Sequence, residues 1–232
     1  KAAGSTRPAP RPGPAGACPV KPRTALLALL YTLLAAALPA VAQERFSAAL
    51  SYDSQSPRSQ SYDPITFSPA ANRGFGLAFA WKARALGSAD LDLTAALRFK
   101  AKSDLDVAGE RAGKFASEHV ALGAQVVWHP GVDLGLGLQV RFEKQALVPL
   151  EEGDTWSARQ TRPWLTASLG HAFAGSGSVK PFVALVAALP LTSTGKPTGA
   201  AASDAEAQAN QERLVKSLAP KFEIGLQVGL KF

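Results

Sequence analysis

The chain has 232 residues, 47% of them hydrophobic and 19% charged, a balance that excludes an intrinsically disordered protein. Its formal charge of +7 invites a nucleic-acid partner, but Lys1, Arg7, Arg11, Lys21 and Arg23 all precede residue 43 with no acid among them. Beyond that point 20 basic side chains face 18 acidic ones, so a basic nucleic-acid surface is excluded. The single cysteine, Cys18, lies in the same leader, which leaves the remainder without a disulfide, a thiol nucleophile or a cysteine metal ligand.

Residues 1–20 are rich in Pro, Ala, Gly and Arg and lack periodicity, which reads as a disordered or non-native extension with translation expected to start near Val20. Lys21 and Arg23 then precede an apolar run, Thr24 to Leu38, followed by Pro39 and Ala40-Val41-Ala42. Residues 21–42 therefore read as a cleavable helical signal peptide cut after Ala42. The apolar core is shorter than the roughly 20 residues a membrane-spanning helix needs.

From residue 43 to 232 the apolar residues recur with a period of two, the mark of strands with two unlike faces. Eight segments are expected, with one parity apolar: Phe46 to Tyr52, Phe75 to Trp81, Leu91 to Phe99, Val120 to Trp128, Val132 to Phe142, Leu165 to Phe173, Lys180 to Leu189, and Phe222 to Phe232. The seventh is apolar on both parities, so its register stays open. Short turns at Arg84 to Ser88, Pro130-Gly131 and Gly175 to Gly177 alternate with long loops over Asp53 to Asn72, Lys102 to Ser117, Lys144 to Arg162 and Pro190 to Ala219. The expected fold is all-β, an eight-stranded antiparallel up-and-down barrel.

Parity alone leaves open whether the apolar face meets lipid or a soluble core. Aromatic residues fall at the strand ends, with Phe46, Trp81, Trp128, Phe173 and Phe232 at the short-turn rim and Tyr52, Phe75, Phe99, Phe142 and Phe222 at the other. Two such girdles are what a bilayer selects. The opposite face carries glycines, and the apolar face carries no charge in mid-strand. The apolar face is therefore expected to face lipid; Leu136→Arg should impair assembly far more than Gly137→Ser.

The closing run, in which Val228, Leu230 and Phe232 alternate with polar residues or glycine, resembles the assembly signal of bacterial outer-membrane barrels. Over residues 43–232 the architecture resembles the small eight-stranded outer-membrane proteins of the OmpA and OmpX type. That resemblance implies periplasmic termini, extracellular long loops, a monomer, and partners limited to outer-membrane lipid and lipopolysaccharide, with the barrel-assembly machinery and periplasmic chaperones during biogenesis. No nucleic acid, cofactor or metal is expected.

Candidate functional residues lie on the inward parity near the long-loop end: Arg98, Lys100, His119, Arg141, Glu143, Arg162, Lys221 and Glu223. They would form either a charged constriction or a salt-bridge network inside a barrel too narrow for bulk water. Lys82, Asp90, Asp92, Asp133 and Lys231 sit toward the short turns, with Thr94, Gln125, Gln139, Thr166 and Gln227 between. Ser203-Asp204-Ala205-Glu206 reads as a helix start, and a short solvated helix over the mouth is expected. Glu151, Glu152 and Asp154 beside Trp156 read as a solvated acidic loop. An enzyme is not expected, since the sequence holds no nucleophile elbow, paired-histidine metal motif or phosphate loop. Ser117 with His119 is the only pair that would suit lipid modification. Three roles stay open: a structural barrel or narrow conduit for small solutes, a surface recognition and adhesion scaffold working through its loops, and, least, a lipid-modifying enzyme.

Overall fold

The computed structural model describes residues 45–62, 65–150, 153–174, 178–194 and 204–232. The leader, the signal segment, the turn at 175–177, Glu151, Glu152 and Ser203 lie outside them. Within the described residues the strands are β1 (Phe46–Ser56), β2 (Gln60–Tyr62), β3 (Ile65–Pro69), β4 (Asn72–Leu86), β5 (Ala89–Val107), β6 (Glu110–Trp128), β7 (Asp133–Pro149), β8 (Trp156–Ala172), β9 (Lys180–Pro190) and β10 (Phe222–Lys231). One helix, α1 (Asp204–Ser217), precedes β10.

Eight of these strands close into a ring. β1 pairs with β4 on one side and β10 on the other, β5 pairs with both β4 and β6, and β7, β8 and β9 complete the circuit, always antiparallel. The β1–β10 seam runs from Ser47 opposite Lys231 to Ser56 opposite Phe222, so the final alternating run closes the barrel. Closure satisfies the backbone groups an edge strand would expose, a necessity in hydrocarbon. The small β2–β3 hairpin stands outside the ring and pairs with the far end of β5 at Phe67, Ser68 and Pro69.

Alternation in sequence becomes alternation of exposure. Leu50, Leu122, Leu136, Leu138, Val140, Leu169, Leu226 and Val228 all face outward and are exposed, while their sequence neighbours line the interior. The strand whose register sequence left open is settled by its partners. Ala188 lies in one row with Thr166 and Glu223, both interior, so Phe182, Ala184 and Ala188 point inward and Leu185 and Leu189 outward.

Two expected loops are strands. β5 and β6 continue past residues 102–117 to a two-residue turn at Ala108 and Gly109, whose φ values of 55° and 89° suit the left-handed conformation of a tight hairpin. β7 and β8 likewise run on through most of 144–162. The physical reason is an inversion of polarity. In the band that holds Leu122 and Leu138 the apolar parity is outside, whereas beyond it Phe115, Leu147 and Ala158 are buried inside and Lys102 and Arg159 are exposed outside. In β5 a bulge between Arg98 and Ala101 also shifts the phase.

Candidate functional site

The barrel interior falls into three levels. At the short-turn end Lys82, Asp90, Asp92, His129, Asp133 and Lys231 border an open vestibule of about 420 Å³. Lys82 Nζ lies 2.7 Å from Asp90. His129 bridges two carboxylates, Nε2 to Asp90 at 3.0 Å and Nδ1 to Asp133 at 2.6 Å, and Lys231 donates to Asp133. Above it Thr94, Gln125, Gln139, Thr166 and Gln227 line a cavity of about 110 Å³. Asp92, Asp133 and Lys231 border both spaces, so polar side chains reach from the vestibule to mid-barrel among alanine, valine and phenylalanine side chains.

The third level is filled. Arg98, held by the long bulged strand β5, donates through Nε to Asp53, through Nη1 to Ser117 O at 2.9 Å, and through Nη2 to Asn72 Oδ1 at 2.8 Å. Arg141 grips Glu223 with both terminal nitrogens, at 2.8 and 2.9 Å. Glu143 accepts from Arg162 Nη2 at 2.8 Å, Trp164 Nε1 at 2.7 Å, Gln145 at 3.0 Å and Gln160 at 3.1 Å. Gln55 ties these groups together, accepting from Ser117 Oγ at 2.8 Å and donating to Glu223 at 2.7 Å. Every barrel strand except β9 contributes to this layer, and three arginines balance three carboxylates. Paired and hydrogen-bonded, the six charges can be buried together; removing one would strand its partner.

Trp164 is the pivot. Its side chain is fully buried, with the guanidinium carbons of Arg141 and Arg162 4.1 and 4.9 Å from its ring centroid. Among the described residues Arg141 Nε and Arg162 Nη1 have no hydrogen-bond partner, and the aromatic face supplies electrostatic compensation in their place.

Above this layer sits α1. Leu214, Val215 and Leu218 are buried against Leu105, Phe115, Leu147 and Ala158, with Phe67, Val107 and Trp156 packed around them. The chain after the helix is latched to the layer below, since Arg162 Nη2 donates to Pro220 O at 3.0 Å. The expected solvated helix is thus a docked cap. Its stripe at 214, 215 and 218 was the available signal, short enough to be lost among polar neighbours.

Of the eight expected interior residues, Arg98, His119, Arg141, Glu143, Arg162 and Glu223 share the filled layer. Lys100 and Lys221 do not: both are exposed, Lys100 because the β5 bulge turns it outward and Lys221 because it stands in the turn before β10. Asp53, Gln55 and Asn72 fell in an expected loop, although Asp53 and Gln55 continue the inward parity of β1. Trp164 was overlooked despite sharing parity with Arg162 and Thr166. Ser117 and His119 are both buried inside and both contact Gln55.

The aromatic rims are in place. Trp81, Trp128 and Phe173 are exposed at the short-turn end, where Phe46 lies 6.2 Å from Phe79 and 6.3 Å from Phe232 by ring centroids. Tyr52, Phe75, Phe99 and Phe142 are exposed at the other rim, Tyr52 and Phe75 with ring centroids 5.0 Å apart. Phe222 is half-buried beside them.

No family model matches the sequence, and no curated protein matches it. Solved structures similar to the chain include neisserial surface protein A, at 13% identity and a TM-score of 0.43 over 81% of this chain and 97% of that one. OprG from Pseudomonas aeruginosa matches at 10% identity and 0.47 over 80% and 93%, and Ail of Yersinia pestis at 11% and 0.38 over 81% and 97%. The chain's own pairing establishes its architecture: with a closed antiparallel ring, an apolar exterior between aromatic rims and a polar interior, it is an eight-stranded antiparallel β-barrel.

Proposed function

We propose that the protein is a bacterial outer-membrane barrel, closed in its extracellular half, that serves the cell surface as a structural and recognition scaffold instead of passing solutes. Its short turns and termini would lie on the periplasmic side and its long hairpins outside, with Val228, Leu230 and Phe232 read by the assembly machinery during insertion. The membrane reading is supported by the exposed apolar band, since so many large aliphatic side chains in one continuous belt would drive a water-facing barrel to aggregate.

One observation carries the closed reading: the layer from Asp53 to Glu223 fills the barrel section, and α1 roofs it with apolar side chains. An eight-stranded barrel has an interior only just wide enough for its own side chains. The scaffold reading draws on the paired extension of β5–β6 and β7–β8 beyond the band, which offers stiff walls where loose loops would have to order on binding. The polar half below, with its vestibule and cavity, keeps a conduit role as the second reading. Planar-bilayer recordings decide between them. The closed barrel is expected to give no steady conductance steps, and regular steps from the wild-type protein would overturn it.

A further inference from the structure

We infer that the mid-barrel cavity is a blind pocket for a small primary ammonium ion, anchored on Asp92 and entered from the short-turn vestibule. The scaffold reading leaves this half of the interior without a role. The cavity, of about 110 Å³, has two unlike walls. On one side Asp92, Gln125, Gln139 and Thr166 stand on the four consecutive strands β5 to β8. On the other, Ala49 of β1 forms a buried apolar cluster with Phe182 and Ala184 of β9, and Ala78 of β4 packs against it.

The polar wall is short of partners. Thr166 is only 5% exposed, yet among the described residues its hydroxyl meets no hydrogen-bonding group, and neither do the side-chain amides of Gln139 and Gln227. Buried polar groups are nearly always hydrogen-bonded, so a guest must satisfy these. At about 30 Å³ per water in the liquid, the space takes about four waters or one solute of about four heavy atoms. Charge selects the solute. Of the three carboxylates bordering vestibule and cavity, Asp90 pairs with Lys82 and Asp133 with Lys231. Asp92 accepts from Gln125 but has no ion pair among the described residues. It stands at the junction of the two spaces, where a half-buried carboxylate draws a cation. An ammonium group donates to Asp92 and to the amide oxygens, a short methylene segment lies on the alanine wall, and a terminal hydroxyl reaches Thr166. A bare metal ion would leave the apolar wall and most of the volume unfilled. The blind end rests on the closed reading: with the bore filled above by arginines and carboxylates, the solute leaves by the mouth it entered.

The test titrates the folded protein in detergent micelles with ethanolamine hydrochloride and follows the side-chain amide signals of Gln125, Gln139 and Gln227 by proton–nitrogen correlation NMR. Ethylene glycol, of the same size but uncharged, and sodium chloride serve as comparisons. Ethanolamine is expected to give saturable shifts that neither comparison produces at equal concentration. Asp92→Asn keeps the side chain's size and should weaken binding roughly tenfold or more, as the loss of a charged hydrogen bond does. Thr166→Val should weaken it less, and Asp106→Asn, at an exposed position, should leave it unchanged. Equal shifts from ethylene glycol, or unaltered binding by a folded Asp92→Asn variant, would overturn the inference and leave the closed reading intact. Displacement of ethanolamine by sodium chloride at equal concentration would overturn the ammonium assignment in favour of an inorganic cation. Conductance steps in planar bilayers alongside saturable ethanolamine shifts would overturn the closed reading, and with it the blind end, while supporting Asp92 as the anchor.

Discussion

The two halves of the barrel interior solve the same problem differently. Toward the short-turn end the polar groups are satisfied by half-exposed ion pairs around an open vestibule: Asp90, His129, Asp133 and Lys231 form a chain that water can reach. Toward the long-loop end, three arginines and three carboxylates are almost fully buried, knit by Gln55 and Trp164, and sealed by α1. Both halves read as polar interior in the sequence. What separates them is side-chain length against a fixed bore: Ala49, Thr166, Ser168 and Ala184 leave a cavity below, whereas Arg, Glu, Gln and Trp fill the bore above.

The contrast can be broken most directly at its densest point. Glu143→Ala removes the acceptor of five hydrogen bonds and leaves Arg162 buried without its carboxylate, and is expected to cost about 3–5 kcal/mol. Urea unfolding of the lipid-reconstituted barrel, followed by tryptophan fluorescence, measures it; a loss below about 1 kcal/mol would show that the upper layer is as water-accessible as the lower one.

Mid-barrel, the structure revises one expectation. Leu136→Arg places a charge against lipid and should cost about 2–4 kcal/mol. Gly137→Ser was expected to be mild, yet a Cβ at Gly137 would stand 2.5 Å from Ala124 O and 2.6 Å from Gln125 Cβ. Overpacking of that kind typically costs about 1–3 kcal/mol. Both substitutions should reduce the assembled fraction seen by heat-dependent gel migration, with the arginine somewhat worse. Normal assembly of the serine variant would mean that the strands part more easily than their pairing suggests.

The smallest effect belongs to the vestibule. Asp133→Ala breaks pairs with Lys231 and His129 that solvent already screens, so the loss should stay within about 1 kcal/mol in the same urea experiment. A cost equal to that of Glu143→Ala would erase the distinction between the halves.

Most of the architecture was legible because the membrane imposes a strict rule on sequence: between the rims, one parity must be apolar and the other must fit inside. Leu134, Leu136, Leu138 and Val140 obey it so regularly that strand, face and partner order follow. Legibility failed where the rule ceases to apply. Beyond the long-loop rim the apolar band ends, apolar side chains turn inward at Phe115 and Leu147, and continuous strands read as loops. The site was legible to the same extent. Arg98, Arg141, Glu143, Arg162 and Glu223 follow from inward parity, but Lys100 was misplaced by a bulge that a residue pattern does not announce, and Trp164 was hidden because aromatics elsewhere mark the rims.

The sequence by itself determined the eight strands, the lipid-facing parity and the short-turn ends, because alternation is a local property that each strand carries alone. Only the tertiary structure decided which arginine meets which carboxylate, that β9 turns Phe182 and Ala188 inward, and that α1 caps the mouth. Those outcomes depend on the register between strands far apart in the chain and on the bore they enclose, which arise only once the ring has closed.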